Sequence, residues 1–248
     1  MAKRPRKPKR RPAKASPRRS ARRRKRGAGG AAARRRILDA ALKLAAGRGW
    51  RRTRLVDIAR EAGVGLDRLR VKFPSKAAIV DGLIRRTDER ALADGPAEGS
   101  SARDRLFDVL MRRFDAMAPD RAGIAAILKD LCRDPATALC HGPRLMVSMA
   151  WMLETAGLSA SGPVGLLRAK GLMAVYLWAL RAWLDDDSQD LARTMAALDR
   201  GLRQAEAAAK FLKTGPGAGA RKAATAAAKT AARAAARATK GAGPKARK

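Results

Sequence analysis

Residues 53–76, TRLVDIAREAGVGLDRLRVKFPSK, leave this chain little conformational choice. Leu55, Ile58 and Ala59 recur at helical spacing, the run Ala62-Gly63-Val64-Gly65 interrupts them, and a second apolar stripe follows at Val64 or Leu66, Leu69 and Phe73. Pro74 cannot continue a helix, and Ser75 is a good N-cap for the next one. Two short helices joined by a Gly-containing turn and followed by a sharp stop read as a helix-turn-helix. Its second helix is expected over residues 65–72, with Asp67, Arg68, Val71 and Lys72 pointing away from the core.

Helices are expected on both sides. A preceding one over residues 33–46 places Ile37, Leu38, Ala41, Leu42 and Ala45 on one face and ends at Gly47 and Gly49; Trp50 then plugs the small core. Ser75 caps a following helix that buries Ile79, Val80, Leu83 and Ile84 and runs to about Leu92. The Gly/Pro/Ser stretch at 94–101 marks the clearest internal boundary. From 102 to 212 the periodicity gives four or five more helices. Asp134-Pro135 opens one of them, with a kink at Pro143, and Gly157 ends it. The segment 164–184 is apolar almost all round, which calls for a second surface to cover it. Asp185-Asp186-Asp187-Ser188 then starts a last helix with Leu198 and Leu202 on one face. Sparse β-branched residues and 4% aromatics fit this all-α reading: an N-terminal three-helix helix-turn-helix domain, a C-terminal helical bundle, and disordered basic tails. The domains are drawn at 1–33 (tail), 34–93, 102–212 and 213–248 (tail).

The charge needs locating, because a net +34 is extreme for 248 residues. Residues 1–36 and 213–248 hold 28 of the 56 Lys and Arg and no Asp or Glu, so the middle carries 28 basic against 22 acidic residues, a net of +6. The basicity belongs mainly to the tails. Such tails neutralise phosphates without reading sequence, or serve only as solvated, solubilising extensions. The alanine-rich C-terminal one is similar in composition to linker-histone tails. Cys132 and Cys140 read as free thiols filling core space, in keeping with a reducing cytoplasm. The most apolar run, 171–184, is about 14 residues and contains Arg181, too short and too charged for a membrane span. His141 is the only histidine, and no second set of ligands converges on it, so no metal, cofactor or catalytic group is expected.

The stretch from Arg34 to Leu92 resembles the DNA-binding domain of TetR-type transcriptional regulators. The resemblance rests on Ile37-Leu38-Asp39-Ala40-Ala41, on Gly49-Trp50, and on Thr53, Ile58-Ala59, Ala62-Gly63-Val64, Leu69, Phe73 and Ser75-Lys76 in that order. It implies that the basic start of the first helix lies near the DNA backbone, making Arg34, Arg35 and Arg36 phosphate-contact candidates. Thr53, the natural N-cap of the next helix, either holds a phosphate together with the free amides there or is a cap alone. Arg68 is the candidate for a base edge, since a guanidinium binds guanine O6 and N7 in a fork. Lys72 and Lys76 suit phosphate. The family pattern has aromatics where this chain has Arg70 and Lys72; Arg70 can still grip phosphate, and sequence specificity is what the exchange puts in question.

The resemblance also implies a homodimer through two C-terminal helices, for which Leu172, Tyr176, Leu180, Trp183, Leu198 and Leu202 are the candidates. Met111, Met149, Trp151, Met152, Met173 and Trp178 either line a pocket for a small apolar ligand or are plain core. The reading is therefore a cytoplasmic, nucleoid-associated, dimeric regulator that binds DNA and is not an enzyme. Two others compete with it: a lipid-binding protein of ubiquinone biosynthesis similar to the COQ9 family, and a nucleoid-associated protein that binds DNA through its tails.

Overall fold

The fold is given by a computed structural model describing residues 17–188 and 190–214, with side chains from residue 29 to 211 apart from Pro135 and Gln189. Among the described residues every regular element is helical: α1 (Pro17–Arg48), α2 (Leu55–Glu61), α3 (Leu66–Lys72), α4 (Lys76–Ala91), α5 (Ala102–Met117), a 3-10 turn (Ala118–Asp120), α6 (Arg121–Cys132), α7 (Pro135–Cys140), α8 (Gly142–Thr155), α9 (Gly162–Leu184) and α10 (Ala192–Thr214). The expectations for residues 1–16 and 215–248 lie outside the described residues.

Helix α1 begins at Pro17, not at Ala33, so the basic stretch expected to be a tail is helical from there on. Arginine, lysine and alanine are strong helix formers, and Pro suits the first position of a helix. Polarity argues against a core, but it does not prevent a helix from being extended beyond one. The other end behaves as expected: Gly49 takes φ +83°, which a residue with a side chain resists.

The helices gather into two compact units. The first runs through Asp88 and includes Met117–Arg144; the second takes Glu89–Ala116 and the chain from Leu145 on. Helices α6 and α7 thus belong with the helix-turn-helix, a division that differs from one drawn at residues 94–101. Gly123 is the reason α6 fits: a Cβ there would lie 2.7 Å from the Leu42 carbonyl oxygen on α1. The core of this unit joins Ile37, Leu38, Leu42, Trp50, Ile58, Leu69, Phe73, Ile79 and Ile127. Ion pairs lie round its edge. Asp57 reaches back to the amide of Arg54 at 3.1 Å and pairs with Arg48 at 2.7 Å, while Arg86 bridges Asp39 and Asp120.

In the second unit Phe114 of α5 stacks on Tyr176 of α9 with ring centroids 5.5 Å apart, and Trp183 lies 6.2 Å away. Arg113 is buried with its guanidinium 4.9 Å over the Tyr176 ring. Helices α9 and α10 are packed closely enough that a Cβ at Gly201 would be 2.9 Å from Val175. Between them, Asp186 is wholly buried and accepts hydrogen bonds from the amide and hydroxyl of Thr194, both at 2.7 Å, as well as from Ser188. This buried carboxylate organises the start of α10, which begins at Ala192 and not at the Asp185-Asp186-Asp187-Ser188 run expected to start it.

Three further expectations are corrected, and the choice between Val64 and Leu66 is decided. Six α-helices and a 3-10 turn occupy 102–214, because His141-Gly142 breaks the helix expected to run past Pro143. Cys132 and Cys140 are free but exposed, not core. Leu66 is half exposed, and Val64 supplies the core contact instead. Helix α9 is 23 residues long, enough in length and composition to cross a membrane; its burial of Leu172, Tyr176, Ala179 and Trp183 is that of a core helix.

Candidate nucleic-acid interface

Helix α3 is positioned by Leu69 and Phe73, both sealed in the head core, and by Gly65, whose extended backbone turns the chain into its first residue. Burying those two side chains fixes the rotation of the helix. Asp67, Arg68, Arg70 and Val71 then lie on the exposed side and Lys72 at its margin. Arg68, Arg70 and Lys72 make no ion pair with any described residue, so their charge is available to an external anion. Asp67 does not pair with Arg68, either.

A second basic group lies at α1. Arg35 and Arg36 are exposed, while Arg34 is half-buried with its guanidinium 5.0 Å over the Phe73 ring. Arg34 also lines a small cavity of about 230 Å³ with Lys72, Phe73, Asp81 and Arg85, so three cations converge on one notch beside the end of α3. Arg85 is a residue that sequence reasoning passed over. It sits on the exposed side of α4, where a lone arginine carries no motif.

Two expected contact residues are turned inward. Thr53 is 1% exposed and its hydroxyl donates to the Gly49 carbonyl at 2.9 Å. The N-cap of α2 is Arg54, with Asp57 serving its amide, so Thr53 locks the preceding turn and offers no hydroxyl to phosphate. Lys76 donates to the Trp50 carbonyl at 2.5 Å with its ammonium 4.4 Å over the indole. Desolvation holds its pKa below the usual lysine value, offset in part by Asp130. The long stem of Lys76 ties α4 to the turn after α1, and the charge expected for DNA is committed there.

Lys76 lines a larger cavity of about 450 Å³ with Trp50, Asp130, Thr137 and His141. Asp130 accepts from the Arg51 amide at 2.7 Å, and that hydrogen bond is the main reason its carboxyl sits below its ordinary pKa. His141 is buried and pairs through Nδ1 with Asp81 at 2.7 Å. Among the described residues no group of three or more His, Cys, Asp or Glu is placed to hold a metal ion.

The arrangement is a helical head with an exposed, basic α3. Residues 37–83 match the family described as bacterial regulatory proteins, tetR family. The helix-turn-helix of this chain is of the TetR type. The fold of the chain is similar to the TetR transcriptional regulator from Nitrosomonas europaea, at 27% identity and a TM-score of 0.56 over 70% of this chain and 97% of that one. A TetR transcriptional regulator from Rhodococcus sp. RHA1 has the same fold at 20% identity and a TM-score of 0.52, over 70% and 94% of the two chains. No curated protein matches the chain significantly.

In the second unit the expected roles change faces. Leu172, Tyr176, Leu180, Trp183, Leu198 and Leu202 are buried within the chain's own unit and are not available to a second copy. The exposed apolar residues of α9 are instead Val164, Leu166, Leu167, Leu177 and Trp178. The expected ligand pocket also disperses. Met149 and Met152 have no accessible surface, so no water-sized void touches them, whereas Trp151 and Trp178 are more than half exposed. Met111 and Met173 are half-buried.

Proposed function

We propose that this chain is a DNA-binding transcriptional regulator that works as a homodimer, with α3 as the helix that enters the major groove. The observation that carries the reading is the exposed side of α3, where Arg68 and Arg70 stand clear of any internal ion pair on a helix held by buried Leu69 and Phe73. Arg68 reads a base edge, and Arg70, Lys72, Arg85 and the cations of α1 hold phosphates. Two heads related by a dimer axis read half-sites about one DNA turn, roughly 34 Å, apart. The exposed side of α9 around Trp178 supplies the dimer contact, since apolar surface left open on a helix of this length calls for a partner.

A small apolar ligand is part of this proposal as an effector that must open the second unit before it can enter, because Met149 and Met152 are sealed. The same closure gives a COQ9-like lipid-carrying role no support. Binding through tails alone leaves the exposed cations of α3 without a task.

The test is binding of the full chain to fragments of its own upstream region against scrambled DNA at physiological salt. A regulator prefers one fragment by about a thousandfold or more. Arg68→Ala is expected to erase the preference, while Arg70→Ala weakens all fragments alike and lowers the salt slope by about one unit. Equal binding to every fragment rejects the proposal.

A further inference from the structure

The most exposed large apolar side chain among the described residues is Val71, at 86%, and it stands on α3 between Arg70 and Lys72. Single exposed apolar residues are common on protein surfaces, but the setting of this one is unusual. A β-branched residue is a poor helix former, and α3 is only 7 residues long. Nothing in the head packs over Val71, so its apolar surface does no work in the core. Beside it the exposed side carries the ionised groups Asp67, Arg68 and Arg70, and the other exposed apolar residue of α3, Leu66 at its first position, is only 50% exposed.

Phosphate has no use for such a residue, which brings neither charge nor donor. A base edge does. The C5 methyl of thymine is the apolar feature of the major groove, and contact with it distinguishes thymine from cytosine and from either purine. Arg68 and Val71 are three residues apart on the helix, which makes them surface neighbours about 5–6 Å apart. Base pairs are stacked about 3.4 Å apart, so the two side chains reach positions separated by about one or two pairs.

We propose that Val71 is a specificity-determining residue: it packs on the C5 methyl of a thymine lying about one or two base pairs from the guanine held by Arg68. The assignment rests on α3 being the reading helix, as set out above. It gives each half-site a guanine and a nearby thymine as its minimal content, one read by a guanidinium fork and the other by a methyl contact.

The experiment uses the full chain and the fragment it prefers, with each thymine replaced singly by deoxyuridine, which removes the methyl and alters no hydrogen-bonding group. Loss of one buried methyl weakens binding about fourfold per half-site. The expected result is a single thymine per half-site whose replacement has this effect in the wild-type chain. Val71→Ala should bind the thymine and uracil forms equally, with an unchanged melting temperature. Tight, selective binding that ignores every deoxyuridine overturns the role of Val71 and leaves the regulator reading intact. So does a Val71→Ala chain that keeps the uracil penalty. A chain that prefers no fragment rejects the regulator reading itself, and Val71 with it.

Discussion

Replacing Trp178 and Trp183 separately by Asp tests which side of α9 meets a second copy. Trp183 is fully buried against Phe114, whereas Trp178 is 60% exposed on the same helix. A tryptophan buries about 150–250 Å² when fully covered, so about 100–150 Å² of each Trp178 is left for a partner. At about 25 cal/mol per Å² this is about 3 kcal/mol per subunit and about 6 for the symmetric pair, as an upper figure. Half of it already raises the dimer Kd more than a hundredfold. Trp178→Asp should therefore yield a folded monomer in sedimentation equilibrium at micromolar concentration, with a melting curve that stays cooperative. Trp183→Asp buries an unpaired charge and should not fold at all. A folded Trp178→Asp chain that still dimerises with the wild-type Kd would refute the assignment of this face.

Three smaller tests address the frame that holds the reading helix and the body. Asp186→Asn removes a buried carboxylate; burial alone would raise its pKa, but the hydrogen bonds from Ser188 and Thr194 more than reverse this and hold the group well below the carboxylate range. A carboxyl whose pKa is lowered by folding stabilises above its unfolded value, about 3.9, and loses that contribution as pH falls. The variant should thus be about 2 kcal/mol less stable at pH 7, with the gap in denaturant midpoint narrowing below about pH 4. Gly123→Ala forces a methyl against the Leu42 carbonyl and should cost about 1–3 kcal/mol, measured as a fall in melting temperature. Lys76→Met loses the hydrogen bond to Trp50 and the contact with its ring, at about 1–2 kcal/mol, while the salt slope of DNA binding stays at the wild-type value.

The helix-turn-helix was legible in the sequence because its information is local. Spacing of Ile58, Leu69 and Phe73, the glycine turn and the Pro74 stop act within a few residues of each other, and the structure places α2, α3 and α4 accordingly. Caps were less legible. Thr53 and Arg54 are adjacent, and a preference for hydroxyl caps selects Thr53; the decision depends on Asp57, which serves the Arg54 amide, and on Gly49, whose carbonyl takes the Thr53 hydroxyl. Faces of α9 were illegible for a different reason. With leucine and tryptophan on every side, periodicity cannot say that Trp183 is interior and Trp178 exterior; that depends on where Phe114 and α10 arrive. Lys76 fails in the same way, since its position in sequence beside Lys72 says nothing of Trp50, 26 residues away.

The acidic residues of the first unit show how the reading face acquires its charge. Asp39, Asp57, Glu61, Asp81, Asp88, Asp120 and Asp130 each pair with a cation or with His141, and Asp134 caps α7 through Thr137. Among the cations of this unit that make no ion pair with a described residue are Arg35 and Arg36 of α1, Arg68, Arg70 and Lys72 of α3, and Arg85 of α4. Asp67 stands apart as the one acid of this unit with no partner among the described residues, in the first turn of α3 and next to Arg68. A carboxylate there favours the helix dipole but repels phosphate, so if α3 reads DNA as proposed, the contribution of Asp67 is rejection: it would penalise a head lying on the backbone and spare one whose α3 sits deep enough to meet a cytosine amine. Asp67→Asn should accordingly raise affinity for scrambled DNA several-fold more than affinity for the preferred fragment, shrinking the ratio between them. Anisotropy titrations of both DNAs at two salt concentrations measure this directly. A gain by the same factor on both would mean that Asp67 is only one more charge in the field of the head, and that selectivity comes from Arg68 and Val71 alone.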